Sequence, residues 1–151
     1  MSELYRTDPL AANRQMVDDF RAARDRGEPL NRPMLLLTTT GARSGEPRTA
    51  PMMYVPDGDR LLVIGSNMGA AQVPAWVHNI RARTDVTVEV RAETALASAR
   101  EATGAERDQL FADIAAQHPF FLDHQAGISR PIPVVVLTRR DGQSFAFPPQ
   151  P

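Results

Sequence analysis

The chain has 151 residues, no cysteine and a formal net charge of -1, enough for one packed domain and too weak a field to hold a polyanion, so nucleic acid is excluded as a partner. Lack of cysteine removes disulfides, a thiolate nucleophile and cysteine-held metals, and all 17 basic residues are arginine, which removes a Schiff-base lysine. Redox chemistry, if the protein performs any, has to be borrowed from an organic cofactor.

The start, MSELYRTDPLAANRQ, has neither the basic head nor the apolar centre of a signal peptide, and no apolar run reaches membrane-span length. A cytoplasmic protein without an integral membrane segment is expected. Thr7-Asp8-Pro9 supplies a cap and a first-turn proline, and Met16, Val17, Phe20 and Ala23 recur at helical spacing before Gly27. Residues 1–29 are therefore an N-terminal helix and lead-in, residues 30–140 the main domain and residues 141–151 a tail.

MLLLTTT, residues 34–40, is continuously apolar and β-branched, as a buried strand should be. GARSGEPR follows, residues 41–48. A second strand over residues 49–55, the tight turn Pro56-Asp57-Gly58-Asp59 and a third strand over residues 60–66 form an antiparallel hairpin. Asn67-Met68-Gly69 turns the chain, and Pro74 opens a helix with Ala75, Trp76, Asn79, Ile80 and Arg83 near one face.

DVTVEVR, residues 85–91, alternates in strict period two, and residues 93–102 read as its partner strand. Thr103 and Glu106 form a capping box ahead of a helix that buries Leu110, Phe111, Ile114 and Ala115 and ends near His118-Pro119. An aromatic loop, PFFLDHQAG, leads to a last strand over residues 131–138, and the tail is expected to be loose. About six antiparallel strands with two or three helices make an α+β, mainly β, domain of a size that curls into a barrel.

Two clusters can carry chemistry. At the first, Arg43 and Arg48 flank the Ser44-Gly45 turn, so guanidinium donors and accessible amides converge as an anion requires; the competing arrangement has these arginines paired with Glu46. At the second, residues 66–79, a strand end, a glycine turn and a proline-started helix aim free N–H groups at one place, and Trp76 can cover a ring or simply anchor the core. The histidines, His78, His118 and His124, have no zinc spacing, so no metal is expected; no Gly-x-Ser-x-Gly elbow, P-loop lysine or GxGxxG is present.

At these clusters the chain resembles the deazaflavin (coenzyme F420)-dependent nitroreductase family, whose fold is the split β-barrel shared with many flavin-binding proteins. The resemblance runs through LLLTTTGARSGEPRTAPMMYVPDGDRLLVIGSN, PAWVHNIRA, VTVEV, REATGAER and RPIPVVVL in order, about residues 34–138. It implies that residues 30–140 are an F420-binding split β-barrel. Arg43, Ser44, Gly45 and Arg48 would take the phosphodiester and acidic tail, and Pro51 and Met53 would lie beside the ribityl and ring. Gly65, Ser66 and Asn67 would border the ring near the substrate, and Pro74, Ala75, Trp76 and Asn79 would complete the site.

The implied activity is hydride transfer from reduced F420 to a quinone, nitroaromatic or activated enone, a planar small molecule. Ser66 would bond the acceptor's oxygen, solvent or a histidine, His118 or His124, would be the proton source, and Met53, Met68, Phe120 and Phe121 would provide an apolar wall. Well-known members carry tyrosines where this chain has His118, Phe121 and His124, a change that bears on nitroimidazole reduction more than on cofactor binding. Two other readings stay open: an FMN protein of the same fold, whose phosphate would suit the same arginines, and a non-catalytic F420-binding protein. Oligomeric state is not fixed by the sequence.

Overall fold

Four short runs rich in Val, Leu, Ile and Thr become strands, and the mixed runs Pro47–Asp57 and Glu93–Glu101 join them. A computed structural model describes residues 9–28 and 33–145. The strands are β1 (Met34–Thr40), β2 (Pro47–Asp57), β3 (Arg60–Ile64), β4 (Asp85–Val90), β5 (Glu93–Glu101) and β6 (Val134–Arg139). All neighbours are antiparallel and close into a barrel in the order β1-β2-β3-β6-β5-β4. Closure gives every strand a partner on both sides over at least part of its length.

The described α-helices are α1 (Pro9–Asp25), α2 (Ala75–Ala82), α3 (Gly104–Gln117) and α4 (Phe120–Ala126), with a 3-10 turn at Asn67–Gly69. The additional helix is α4, which the sequence reading leaves as a loop. It is under two turns long and buries only Phe121 while Phe120 and Leu122 face solvent, so no periodicity announces it. The capping box is a second departure. Thr103 has the extended backbone of an N-cap but makes no side-chain cap bond, and the Glu106 carboxylate is turned to Arg100 in a bidentate pair at 2.6 and 3.1 Å. The proposed Thr7-Asp8 cap of α1 lies outside the described residues.

Alternation decides which side chains face inward: Leu35 and Leu37, Val86, Val88 and Val90, and the alanines of β5 enter one interior cluster. Both ends of this interior are stopped. At the end where β1 finishes, α2 inserts Trp76, Val77 and Ile80; Val77 replaces the expected Ala75 and Arg83, which are exposed. At the other end Phe145 is 1% exposed, and its N–H donates to Asp59 O at 2.8 Å. The tail is therefore not loose at Phe145; residues 146–151 lie outside the described part.

Outside the barrel, α1 lays Val17 and Phe20 on Leu36. Leu36 stands opposite Glu89 in the β1–β4 register, and Glu89, nearly buried, takes bonds from Arg21 at 2.8 and 3.1 Å and from Arg24 at 2.9 Å. Those bonds, Arg21 first, hold the Glu89 carboxyl below its ordinary range against the opposing effect of burial. Helices α3 and α4 cover a second outer cluster built on Leu62, Ile64, Val134 and Val136. Between the two covers, Pro47–Met53 of β2 pairs with β1, while pairing with β3 begins only at Tyr54. The sheet is thus split along the first half of β2.

Candidate functional site

The antiparallel register places the residue 41–46 corner, the end of β3 and the start of α2 at one end of the barrel, beside this split. The corner closes on itself: Gly41 N–H donates to Glu46 O at 2.8 Å, Gly45 N–H to Gly41 O at 2.9 Å, and Glu46 N–H to Ser44 Oγ at 3.1 Å. Gly45 has φ +71°, a left-handed conformation that a side chain would strain. At Gly41 a Cβ would sit 2.5 Å from Ser44 Oγ, so a side chain there would turn that hydroxyl away from Glu46 N–H. Arg43 and Arg48 are exposed, and among the described residues neither makes an ion pair or hydrogen bond. The pairing with Glu46 does not form, and two guanidinium forks remain available to an anion.

Asn79 supports the corner from behind. It is buried on α2, its Oδ1 accepts Ala42 N–H at 2.9 Å and its Nδ2 donates to Thr39 Oγ1 at 3.0 Å. Trp76, 9% exposed, belongs to the interior cluster with Met52 and Val73 packed near it. These two residues thus act as brace and core anchor. Pro74 is the N-cap of α2 and half-buried, while Ala75 beside it is exposed. Met53 packs on the outer cluster that contains Phe121, and Pro51, two residues away, shares its face of β2.

The segment after β3 forms the opposite lip. A Cβ on Gly65 would approach Val77 Cγ2 to 3.0 Å, so glycine lets α2 seat against the strand end. Its N–H is taken by Pro133 O at 2.9 Å. Ser66 is buried, and its hydroxyl makes no capping bond to the turn it precedes. Asn67 adopts φ +49° and donates Nδ2 to Gln72 O at 3.0 Å. Against this turn lies His124 of α4: a Cβ on Gly69 would be 3.6 Å from both its Cα and its Cδ2. The imidazole meets Phe120 and Phe121 edge-on at 5.7 and 5.9 Å, and its Nδ1 is buried without a hydrogen-bond partner.

The family model described as F420H(2)-dependent quinone reductase matches residues 12–139. The chain belongs to this family. A quinone reductase of that description from Mycobacterium tuberculosis is 38% identical over 113 residues, spanning 72% of this chain and 74% of the relative. A solved F420-H2 dependent reductase, FDR-A, superposes with a TM-score of 0.65 at 32% identity, covering 72% of this chain and 96% of that one. A structure described as a domain-swapped dimer gives 0.67 at 28% identity over 87% and 98%.

Membership in the F420H(2)-dependent quinone reductase family makes the protein an oxidoreductase that uses F420, and decides against the FMN protein and the non-catalytic carrier. The fold is the split barrel. The residues present fit the cofactor: its acidic side needs cations that are not already neutralised, and among the described residues Arg43 and Arg48 have no ion-pair partner. Among the described residues no helix is long and apolar enough to cross a membrane.

Sequence reasoning missed the polar scaffold under the Ser66 turn. Arg130 donates to the carbonyls of Gly65, Ser66, Ala70, Ala71 and Gln72, and Gln125 of α4 bonds the carbonyl of Arg130 at 2.7 Å. Arg107 of α3 reaches both Gln125 Oε1 and Ile132 O. Nothing in GISRPIP distinguishes this arginine from a solvated loop charge, because its partners are main-chain carbonyls that have no sequence signature.

Proposed function

We propose that Arg43, Ser44, Gly45 and Arg48 hold the phosphate-bearing acidic side of F420, and that a quinone is reduced where the Ser66–Gly69 turn faces α4. When bound, reduced F420 supplies a hydride to an electron-poor acceptor. The chain's own part is positioning and proton supply. Arg43 and Arg48 fix the anionic end at the mouth of the split, and Pro51 and Met53 give a mostly apolar floor along β2. Ser66, uncommitted within its turn, donates to an oxygen of the acceptor. His124 delivers the proton that accompanies hydride uptake, completing the hydroquinone. Phe120, 44% exposed, offers its ring to a flat acceptor, with the buried Phe121 packed against it at 4.3 Å between ring centroids.

Nitroaromatics and activated enones are further acceptors in this proposal, since the same geometry serves any flat electrophile with an oxygen at its rim. A cytoplasmic location belongs to the proposal too, on the cysteine-free composition. The observation that carries the reading is the pair of unpartnered arginines at a corner whose backbone is already closed. Its test is a fluorescence titration of purified protein with F420, followed by steady-state oxidation of reduced F420 with a quinone. Saturable binding with quinone-dependent oxidation is expected; no binding at high micromolar cofactor overturns the assignment.

A further inference from the structure

The 65–72 segment has no regular secondary structure beyond one short turn. It contains a single 3-10 turn, a left-handed Asn67 and a glycine at φ +80°, and residues 70–72 are exposed. A segment of that kind samples several conformations unless something outside it satisfies its carbonyls. Within the segment Gly69 N–H donates to Ser66 O, Ala70 N–H to Asn67 O and Asn67 Nδ2 to Gln72 O, and from outside it Arg130 gathers five carbonyls. Its Nε donates to Ala71 O at 3.0 Å and its Nη1 to Gly65 O at 3.2 Å, while Nη2 is shared among Ser66 O at 3.1 Å, Ala70 O at 2.9 Å and Gln72 O at 3.2 Å. The guanidinium is planar and rigid, so carbonyls that meet it must lie near one plane, and the curvature of the segment follows from that demand.

The other end of the arrangement is fixed equally well. Gln125 is the neighbour of His124 on α4; its Nε2 donates to Arg130 O at 2.7 Å, and its Oε1 accepts Ile132 N–H at 2.8 Å and Arg107 Nη2 at 3.0 Å. One polar network therefore runs from α3 through α4 to the Ser66 carbonyl. Among the described residues Arg130 has no carboxylate partner. Burial, with Arg81 adding to it, lowers its pKa from the ordinary value, while its hydrogen-bond partners are all main-chain carbonyls.

We infer that Arg130 is a positioning residue for the reduction: by gathering the carbonyls of residues 65–72 on one guanidinium tied to α4, it sets the distance between Ser66 and His124. The inference rests on the proposed roles of those two groups and goes beyond them, since the guanidinium of Arg130 is engaged by main-chain carbonyls. A lysine cannot replace it, because an ammonium has three donors on a point and no plane. An error of about 1 Å in such a site lowers turnover by up to roughly a hundred-fold.

The test compares wild type, Arg130→Lys and Arg130→Ala by three readouts: F420 affinity, kcat and KM for a quinone, and amide hydrogen exchange by peptide. Both variants should keep F420 affinity within about two-fold, because Arg43 and Arg48 are untouched, and lose kcat by roughly ten- to a hundred-fold. Faster exchange should be confined to residues 65–72 and α4, and millimolar guanidinium should restore part of the turnover of Arg130→Ala. Full activity in Arg130→Lys, or unchanged exchange at residues 65–72 in Arg130→Ala, overturns the inference. Faster exchange there with kcat unchanged overturns it also, by reducing Arg130 to a structural bracket. If wild type neither binds nor oxidises reduced F420, the functional reading fails together with this one; if wild type is active and the variants match it, only this one does.

Discussion

Asn79 and Ala42, 37 positions apart in sequence, are joined by a 2.9 Å hydrogen bond that ties the helix plugging the barrel to the corner bearing Arg43. The bond spends an amide side chain inside the core to satisfy one backbone N–H, and Thr39 Oγ1 takes the other end of the same amide. Asn79→Ala leaves the Ala42 N–H without its partner and opens a small void, so a loss of about 1–3 kcal/mol in unfolding free energy is expected. Affinity for F420 should drop as well, since the corner loses its rear support. Chemical denaturation and a fluorescence titration on the same preparation check both; an unchanged affinity separates the brace from the site.

The corner itself was legible because its chemistry is local. Glycines, a serine and two arginines within eight residues state the turn and the charge together, and the strands on either side follow from β-branched runs. The core-anchor place of Trp76 is one of the two readings its sequence context offers, whereas the bonds of Asn79 to Ala42 and Thr39 were not legible, because a pattern at helical spacing shows which residues share a face and not what that face meets. Arg130 and Gln125 were invisible, since a side chain that binds main-chain carbonyls leaves no paired residue to find. Helix α4 was missed for want of length, and the buried Phe145 because one aromatic in a proline-rich tail has no period.

Arg48→Ala is the direct test of the anion corner. Arg48 is exposed and has no partner among the described residues, so its removal should leave stability within about 0.5 kcal/mol of wild type. A charge-assisted hydrogen bond to the cofactor's acidic side is worth about 1.5–3 kcal/mol, so affinity for F420 should fall roughly ten-fold or more. Rising salt should narrow the gap between variant and wild type. Calorimetric titration at two ionic strengths reads this, and equal affinity for the two proteins moves the anion elsewhere.

Acid should loosen α1 first. Glu89 is held below the ordinary value of 4.5, chiefly by its bonds from Arg21. Its contribution is therefore complete above the ordinary carboxylate range and is lost as pH falls through the lower folded value. In Glu89→Gln that part of the acid dependence should disappear, and at neutral pH the protein should be less stable by about 2 kcal/mol, because Arg21 and Arg24 lose a nearly buried charge partner. Urea midpoints measured from neutral pH down to pH 3 would show two curves that converge at the acid end. Parallel curves would mean that Glu89 contributes no differential proton binding.

Phe145 closes the barrel at the end away from the site, under a guanidinium of Arg139 that lies 5.6 Å from its ring. Phe145→Ala should cost about 3–5 kcal/mol, the range for a fully buried aromatic, while cofactor affinity in the folded fraction stays unchanged. Thermal unfolding with and without F420 separates the two effects. An affinity loss at this distance would show that the two ends of the barrel interior are coupled.

His124 offers the sharpest contrast between stability and activity. Its imidazole is packed by Phe120 and Phe121 and by the Gly69 turn, so Phe at this position retains the ring contacts, and it removes an Nδ1 that is buried with nothing to bond. Removing an unsatisfied buried polar atom is neutral or favourable, so His124→Phe should unfold at the same temperature as wild type or higher. Turnover with a quinone should fall by roughly a hundred-fold, the scale of losing one proton donor, with F420 affinity retained. A group that costs stability in the free protein is kept when the bound state uses it, and opposite signs in the two measurements are the mark of that arrangement. Unchanged turnover in the stabilised variant would remove His124 from the chemistry and leave its unmatched nitrogen as a packing defect.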